Sequence, residues 1–153
     1  MADRSVFTVS FSAVAVTAAQ DLFSLTAPAG YRLELIDVRF GQISDVGDAA
    51  AEQLATTIKR GAAVGSGGSA VTPVPARANG RIAGTTARRN DTTASAGTTV
   101  LSDVFNIAAP YLYRPGENER ITAEPGQVLA IAITAPADSL TMYGSVTFAE
   151  VGI

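Results

Sequence analysis

Apolar and polar side chains alternate with a period of two along much of this chain, and this pattern constrains the fold most. In residues 5–16, Phe7, Val9 and Phe11 alternate with small polar side chains, as expected of a strand with one buried face. Further strand candidates lie at 22–25, 31–43, 54–60, 100–107, 111–114, 119–123, 127–134 and 140–151. Turns rich in Pro and Gly separate many of them. The pattern predicts an all-β protein.

The spacing of the turns predicts how the strands are arranged. Turn signals every 8–12 residues or so are typical of sandwiches and barrels. We therefore expect residues 1–153 to form a single domain, an antiparallel two-sheet sandwich that is jelly-roll-like and has about eight strands. A short N-terminal arm at residues 1–5 would precede it. Residues 128–133 are apolar on both faces, so they should form a central strand. A change of phase near Ile36 indicates a bulge or a strand buried on both faces.

Two segments depart from the strand pattern. Residues 45–54 could form a helical turn capped by Asp48, because three alanines follow that residue. Residues 61–80 contain five glycines and two prolines and predict a long loop. Loops of that length in a small domain are functional or disordered. Val71, Val74 and the prolines give this one something to pack, so we expect an ordered interaction loop.

Composition excludes several kinds of chemistry. The chain has no His, Cys or Trp, so a Ser-His-Asp triad, a thiol nucleophile and a His/Cys zinc site cannot be built from it. We expect no enzyme activity and no cofactor. Two weaker alternatives use carboxylates: a hydrolase with two facing acids, and a calcium site at Asp45, Asp48 and Glu52. The spacing of these acids does not fit an EF-hand.

Charge is distributed unevenly along the chain. The formal net charge is −3, yet residues 53–90 contain six cations and no acid. The basic segment could dock on an acidic surface of a partner or of another copy, or it could be a solvated loop. Nucleic-acid binding is a third reading, but single-strand binders place aromatic side chains among their cations. No aromatic residue lies between Phe40 and Phe105, so we expect no nucleic-acid partner.

The densest aromatic cluster is Tyr111-Leu112-Tyr113-Arg114. Tyr and Arg are favoured at the centres of protein interfaces, although an ordinary strand with alternating core contacts explains the same residues. Together with the basic segment and the N-terminal arm, this cluster supplies the predicted interface. Its candidate residues are Asp3, Arg4, Lys59, Arg60, Arg77, Arg81, Arg88, Arg89, Tyr111, Tyr113 and Arg114.

Four stretches together resemble small virion proteins of tailed bacteriophages. They are residues 52–55 (EQLA), 65–73 (GSGGSAVTP), 101–106 (LSDVFN) and 135–142 (APADSLTM) followed by Gly144. The likeness covers residues 52–152 or so, and its motifs are structural rather than chemical. Jelly-roll proteins of this general kind are similar to capsid decoration or cement proteins. The N-terminal third carries no such resemblance.

The resemblance implies a structural role on a virion. We expect a homotrimer on the capsid surface that binds the major capsid protein after synthesis in the cytoplasm of the bacterial host. No signal peptide is visible, and no run approaches the roughly 20 apolar residues of a membrane helix, so we expect no membrane partner. The alternative is a receptor- or glycan-binding module of a head fibre or tail tip, because jelly rolls also serve as lectins.

Overall fold

A computed structural model describes residues 3–44, 52–92 and 96–153, and it confirms the predicted all-β sandwich. Twelve strands form two antiparallel sheets of six strands each. The strands are β1 Arg4–Val16, β2 Gln20–Thr26, β3 Tyr31–Gln42, β4 Gln53–Arg60, β5 Ser69–Val71, β6 Val74–Pro75, β7 Thr86–Asp91, β8 Thr98–Asn106, β9 Tyr111–Tyr113, β10 Thr122–Ala123, β11 Val128–Ile133 and β12 Leu140–Gly152. A 3-10 turn, Glu117–Glu119, lies between β9 and β10.

The strand order is that of a jelly roll. The first sheet runs β10-β3-β12-β1-β6, with β9 also paired to β3, and the second runs β5-β7-β2-β11-β4-β8. Strands β1 to β4 alternate between the two sheets, and the first long strand pairs with the last. Such crossing connections are typical of the paired Greek keys of a jelly roll.

The expectation of about eight strands was wrong, and the local sequence explains the difference. The Gly- and Pro-rich segment is not only a loop: it contributes β5 and β6, and β7 follows it. These three short strands extend the sheets beyond β2 and β1. In addition, β9 and β10 pair with successive parts of β3 and are separated by Pro115 and the 3-10 turn. Proline cannot donate to a ladder, so it interrupts a strand there.

Aromatic contacts between the sheets mark the core. Phe11 of β1 packs against Phe23 of β2, with ring centroids 5.3 Å apart. Phe40 of β3 meets Phe105 of β8 edge-on at 5.0 Å. Each such pair adds about 0.5–1.5 kcal/mol beyond the burial of its surface. The alternation predicted for residues 5–16 is confirmed as far as Phe11, since Phe7, Val9 and Phe11 are all buried. A bulge between Phe11 and Val14 then interrupts it and leaves Ala13 exposed.

Two finer predictions are also confirmed. Strand β11 is central, lies between β2 and β4, and is buried along its whole length. Strand β3 carries a bulge at Ile36, because Leu35 pairs with Phe148 whereas Asp37 pairs with Thr147. The bulge lets Leu35 and Val38 both face the core, which explains the change of phase in the sequence.

Two other expectations concerned the N-terminal arm and a helical turn. Arg4 and Ser5 of the expected N-terminal arm lie in β1, paired with Val151 and Glu150, so the strand begins earlier than predicted. The helical turn expected over 45–54 lies largely outside the described residues. Within it, residues from Gln53 onward belong to β4.

Candidate functional site

The basic segment does not form one surface patch in the fold. Arg81 of this segment forms an ion pair inside the protein: its Nη1 lies 2.6 Å from Oε2 of the fully buried Glu150. Arg81 Nε also donates a hydrogen bond to Asp3 at 3.0 Å, and the guanidinium covers the ring of Tyr31 at 4.4 Å. Burial lowers the pKa of Arg81, but its hydrogen bond and charge contact with Glu150 outweigh this and leave the pKa raised. The charge of Arg81 is therefore balanced by carboxylates of the same protein.

Arg88 and Arg89 are consecutive residues of β7 and make contacts in different parts of the protein. Arg88 forms a close ion pair with Asp91, with Nη2 2.8 Å from Oδ1 and Nε bonded to both carboxylate oxygens. Arg89 Nη1 donates to the carbonyl oxygen of Ser10 at 2.9 Å. Neighbouring side chains of a strand point to opposite faces of its sheet. These two arginines therefore do not add up to one cationic surface.

Other predicted residues do come together at one end of the sandwich. Asp3, Arg4 and Arg77 line a cleft of about 620 Å³ between the start of β1 and residues 75–80. Arg81 reaches Asp3 from the same stretch of chain. Lys59 and Arg60 end β4 in the other sheet and are half-buried.

The aromatic cluster divides between the core and the surface. Tyr111 is buried and stacks on Phe40 with ring centroids 4.8 Å apart. Burial, followed by the negative charge of Asp103, raises the pKa of Tyr111 to about 12. Burial, and then the charge of Glu119, raises the pKa of Tyr113 as well. Tyr111 is thus a core residue rather than an interface residue, whereas Arg114 is exposed.

A denser cationic group lies on the outer face of the first sheet. We call it the arginine face, and its members are Arg4, Arg32, Arg39, Arg114 and Arg120. In β3, Arg32 and Glu34 alternate with the buried Leu33 and Leu35, so they face outward. After the bulge, Asp37 and Arg39 take the outward positions. The five arginines pair with only three carboxylates, which leaves the face with an excess of positive charge.

Glu34 is the first centre of this face. Arg32, Arg4 and Arg120 approach its carboxylate at 3.2, 3.4 and 3.5 Å. Glu34 itself is only 17% exposed, so the three arginine side chains shield it from solvent. Arg120 also lies 3.9 Å from the exposed Glu117.

Asp37 is the second centre. Arg114 Nη2 donates to Asp37 Oδ2 at 3.1 Å, and Arg39 Nε lies 3.6 Å from Oδ1. Asp37 is 8% exposed, while Arg39 and Arg114 are 54% and 59% exposed. Both guanidinium groups therefore present most of their surface outward while one edge holds the buried carboxylate.

Sequence reasoning found Arg4 and Arg114 but missed Arg32, Arg39 and Arg120. A signal for part of the face was present in the alternation Tyr31-Arg32-Leu33-Glu34-Leu35, which puts an arginine and a glutamate on the same outer face. The search for long runs of like charge overlooked it, because acids interleave with the arginines. Arg120 joins them through pairing of β10 with β3, which no local pattern predicts.

Beside the arginine face lies a shallow depression of about 450 Å³. Arg39, Tyr143 and Pro110 line it, together with small residues such as Ser10 and Ser145. Tyr143 is 41% exposed, and Leu112, which pairs with Arg39 across the strands, is 54% exposed. Charged and apolar surface therefore meet at Arg39.

Of the three acids in the calcium alternative, Glu52 alone lies among the described residues. Among the described residues, no group of three or more acidic side chains is placed to hold a metal ion. Glu52 accepts a hydrogen bond from the backbone N–H of Ala137, while Asp45 and Asp48 lie outside the described residues. The described part of the chain has no helix with the length and apolar character needed to cross a membrane.

The fold and this surface define the class of the molecule as an all-β jelly-roll sandwich with an arginine-lined outer face. No family model, no curated protein and no solved structure matches the chain.

Proposed function

We propose that this chain is a non-enzymatic structural protein of a bacteriophage virion, which decorates the capsid and stabilises it by binding the lattice of the major capsid protein. The arginine face carries the proposal. It lies on the outside of a long-stranded sheet rather than inside a cleft, and a flat charged surface on a rigid scaffold suits adhesion better than turnover. The resemblance of residues 52–152 to phage virion proteins points the same way.

The fold provides what a decorating protein needs. Strands β1, β3 and β12 have 13, 12 and 13 residues and pair along most of their length, so Arg4, Arg32 and Arg39 stand on a stiff platform. Binding to an assembled lattice stabilises it by mass action, and repeated modest contacts reinforce one another when many copies bind the same shell. The expected homotrimer belongs to this proposal and remains a prediction.

The test compares virions that carry this protein with virions from a phage in which its gene is deleted. We expect the protein to co-purify with DNA-filled heads in a fixed, high copy number. Particles that lack it should lose infectivity at a lower temperature and under milder osmotic shock. Adding the purified protein back should restore their resistance.

Two results would overturn the proposal. One is equal survival of both kinds of particle with no protein bound to heads. The other is a few copies found only at the tail, which would instead favour the receptor- or glycan-binding alternative.

The exposed aromatic surface does not favour that alternative. Glycan sites commonly use several aromatic side chains as a platform, whereas among the described aromatic residues only Tyr143 is strongly exposed.

A further inference from the structure

The ion pairs of the described residues differ in how closely the charged groups approach, and the more open pairs identify groups able to bind a partner. Arg81–Glu150 and Arg88–Asp91 are close, at 2.6 and 2.8 Å, near the roughly 2.7–2.9 Å of strong charge-assisted hydrogen bonds. Pairs on the arginine face lie at 3.1–3.9 Å. The arginines of the face are thus held in place by their carboxylates without being saturated by them.

Unused hydrogen-bond donors follow from that geometry. A guanidinium group has five N–H donors in a planar fork that matches a carboxylate. Arg114 donates one hydrogen bond to Asp37, and Arg39 lies 3.6 Å from the same carboxylate. More than half of each of these two side chains is exposed. Both can therefore donate hydrogen bonds to an external carboxylate while Asp37 keeps them oriented.

The apolar surroundings indicate what kind of molecule brings that carboxylate. Leu112 and Tyr143 are exposed on either side of Arg39, and the depression beside them has room for an apolar side chain. Arginine and tyrosine next to apolar surface are typical of the centres of protein interfaces. A nucleic acid would gain little from this depression, because its charged backbone has no apolar side chain to insert there.

We infer that the part of the arginine face around Arg39 and Arg114 binds an acidic protein segment, whose carboxylates pair with these arginines while an adjacent apolar side chain enters the depression beside Tyr143. The inference rests on the proposed function only for the source of this segment, the major capsid protein. The recognition itself is a property of the isolated chain.

The test measures binding of a fluorescein-labelled peptide in which glutamates flank a central leucine, by fluorescence anisotropy at low ionic strength. Three comparison probes separate the contributions: the same peptide with glutamines, the same peptide with alanine for leucine, and single-stranded oligothymidylate. Arg39→Gln and Arg114→Gln are compared with Arg77→Gln, which removes the same charge from an exposed position off the face. Thermal melting establishes that each variant is folded.

We expect saturable binding of the acidic leucine peptide that weakens as salt is added. Arg39→Gln and Arg114→Gln should each raise its Kd about tenfold, the usual scale for losing a hydrogen bond to a charged group, whereas Arg77→Gln should change it less than about twofold. Tyr143→Ser should weaken binding of the leucine peptide and leave the alanine peptide unaffected.

The inference is overturned by absence of saturable binding, by equal binding of the glutamine peptide, by tighter binding of oligothymidylate, or by equal effects of Arg77→Gln and Arg39→Gln. Its failure is distinguishable from that of the proposed function. Wild-type protein that binds heads but not the peptide contradicts the inference alone. Protein that binds the peptide but never heads contradicts the proposed function alone.

Discussion

Arg81 and Glu150 form an ion pair of 2.6 Å, with a Glu150 side chain that is completely buried in β12. The same carboxylate accepts hydrogen bonds from the backbone N–H and the hydroxyl of Thr85, at 2.7 and 2.6 Å. Glu150 thereby fixes residues 81–85, which follow the Gly- and Pro-rich segment at residues 61–80, against the end of the first sheet. The charge pattern of the sequence predicted Arg81 as an interface residue, but in the structure this arginine stabilises the fold.

Loss of this ion pair should be costly. Removing Arg81 leaves the buried Glu150 charge without a cationic partner, so we expect Arg81→Gln to lower the free energy of unfolding by about 3 kcal/mol. Glu150→Gln should lower it less, because Arg81 is 29% exposed and keeps its ion pair with Asp3. Arg77→Gln, in the same stretch of chain but exposed, should change it by less than about 0.5 kcal/mol. Urea denaturation followed by tyrosine fluorescence measures all three. Equal stabilities of Arg81→Gln and Arg77→Gln would show that the ion pair does not hold residues 81–85 in place.

Gly144 should tolerate no side chain, because a Cβ there would lie 2.7 Å from Cε1 of Phe11 and 3.3 Å from Cβ of Phe40. Both rings belong to the core, so Gly144→Ala should destabilise the protein by about 1–3 kcal/mol through overpacking. Gly41→Ala in the neighbouring strand is the matched control, since its Cβ would meet Pro110 at an ordinary 3.5 Å. The midpoints of urea unfolding report the difference. A Gly144→Ala variant as stable as Gly41→Ala would contradict this account of the core.

How much the sequence predicts depends on how far apart the interacting residues lie. Alternation in β1 and the apolar run of β11 are local signals, and both strands are placed as expected. The Arg81–Glu150 ion pair joins residues far apart in the chain, and no local pattern encodes it. Tyr111 shows the same limit, because its burial depends on Phe40 and Phe105 from other strands. Local sequence therefore predicts the long strands, while strand pairing determines where short strands such as β5 and β6 form and which charged and aromatic residues remain at the surface.

Stability should decline at alkaline pH, in part through Tyr111. Burial, followed by the charge of Asp103, raises its pKa from 10.0 to about 12. The folded protein therefore binds this proton more tightly than the unfolded chain does. The resulting stabilisation is complete below about pH 10 and is lost as the pH rises through about 12. Tyr111→Phe should flatten this decline without abolishing it, because the pKa of Tyr113 is raised too.

Unfolding free energies of Tyr111→Phe and Tyr143→Phe over this pH range test the assignment. Tyr143 is exposed, so its replacement should leave the slope of wild type unchanged. A wild-type slope in Tyr111→Phe would mean that the Tyr111 phenol does not govern the alkaline transition.

Asp103 should protect the free edge of the second sheet. Strand β8 is the last strand in that sheet, and Asp103 is its only charged residue. The carboxylate accepts a hydrogen bond from the N–H of Val104 at 2.8 Å, next to a Val104 side chain that is 58% exposed. A charge and a bulge at Val100 are both devices that keep edge strands from pairing with other chains. Asp103→Ala should therefore promote self-association, raising the sedimentation-velocity mass above that of wild type as concentration increases.

The control for this prediction is Asp138→Ala, which removes an equal charge from an exposed turn and should leave the mass unchanged. In the Asp103→Ala variant, pairing of β8 with its copy would centre on Val104, because a centre at position 102 or 103 would set the bulge at Val100 opposite a residue that is still inside β8. Since the chain has no other cysteine, Val104→Cys added to Asp103→Ala should form an intermolecular disulfide under mild oxidation. Wild-type mass for Asp103→Ala, or a larger mass without this cross-link, would show that Asp103 does not guard the edge in this way.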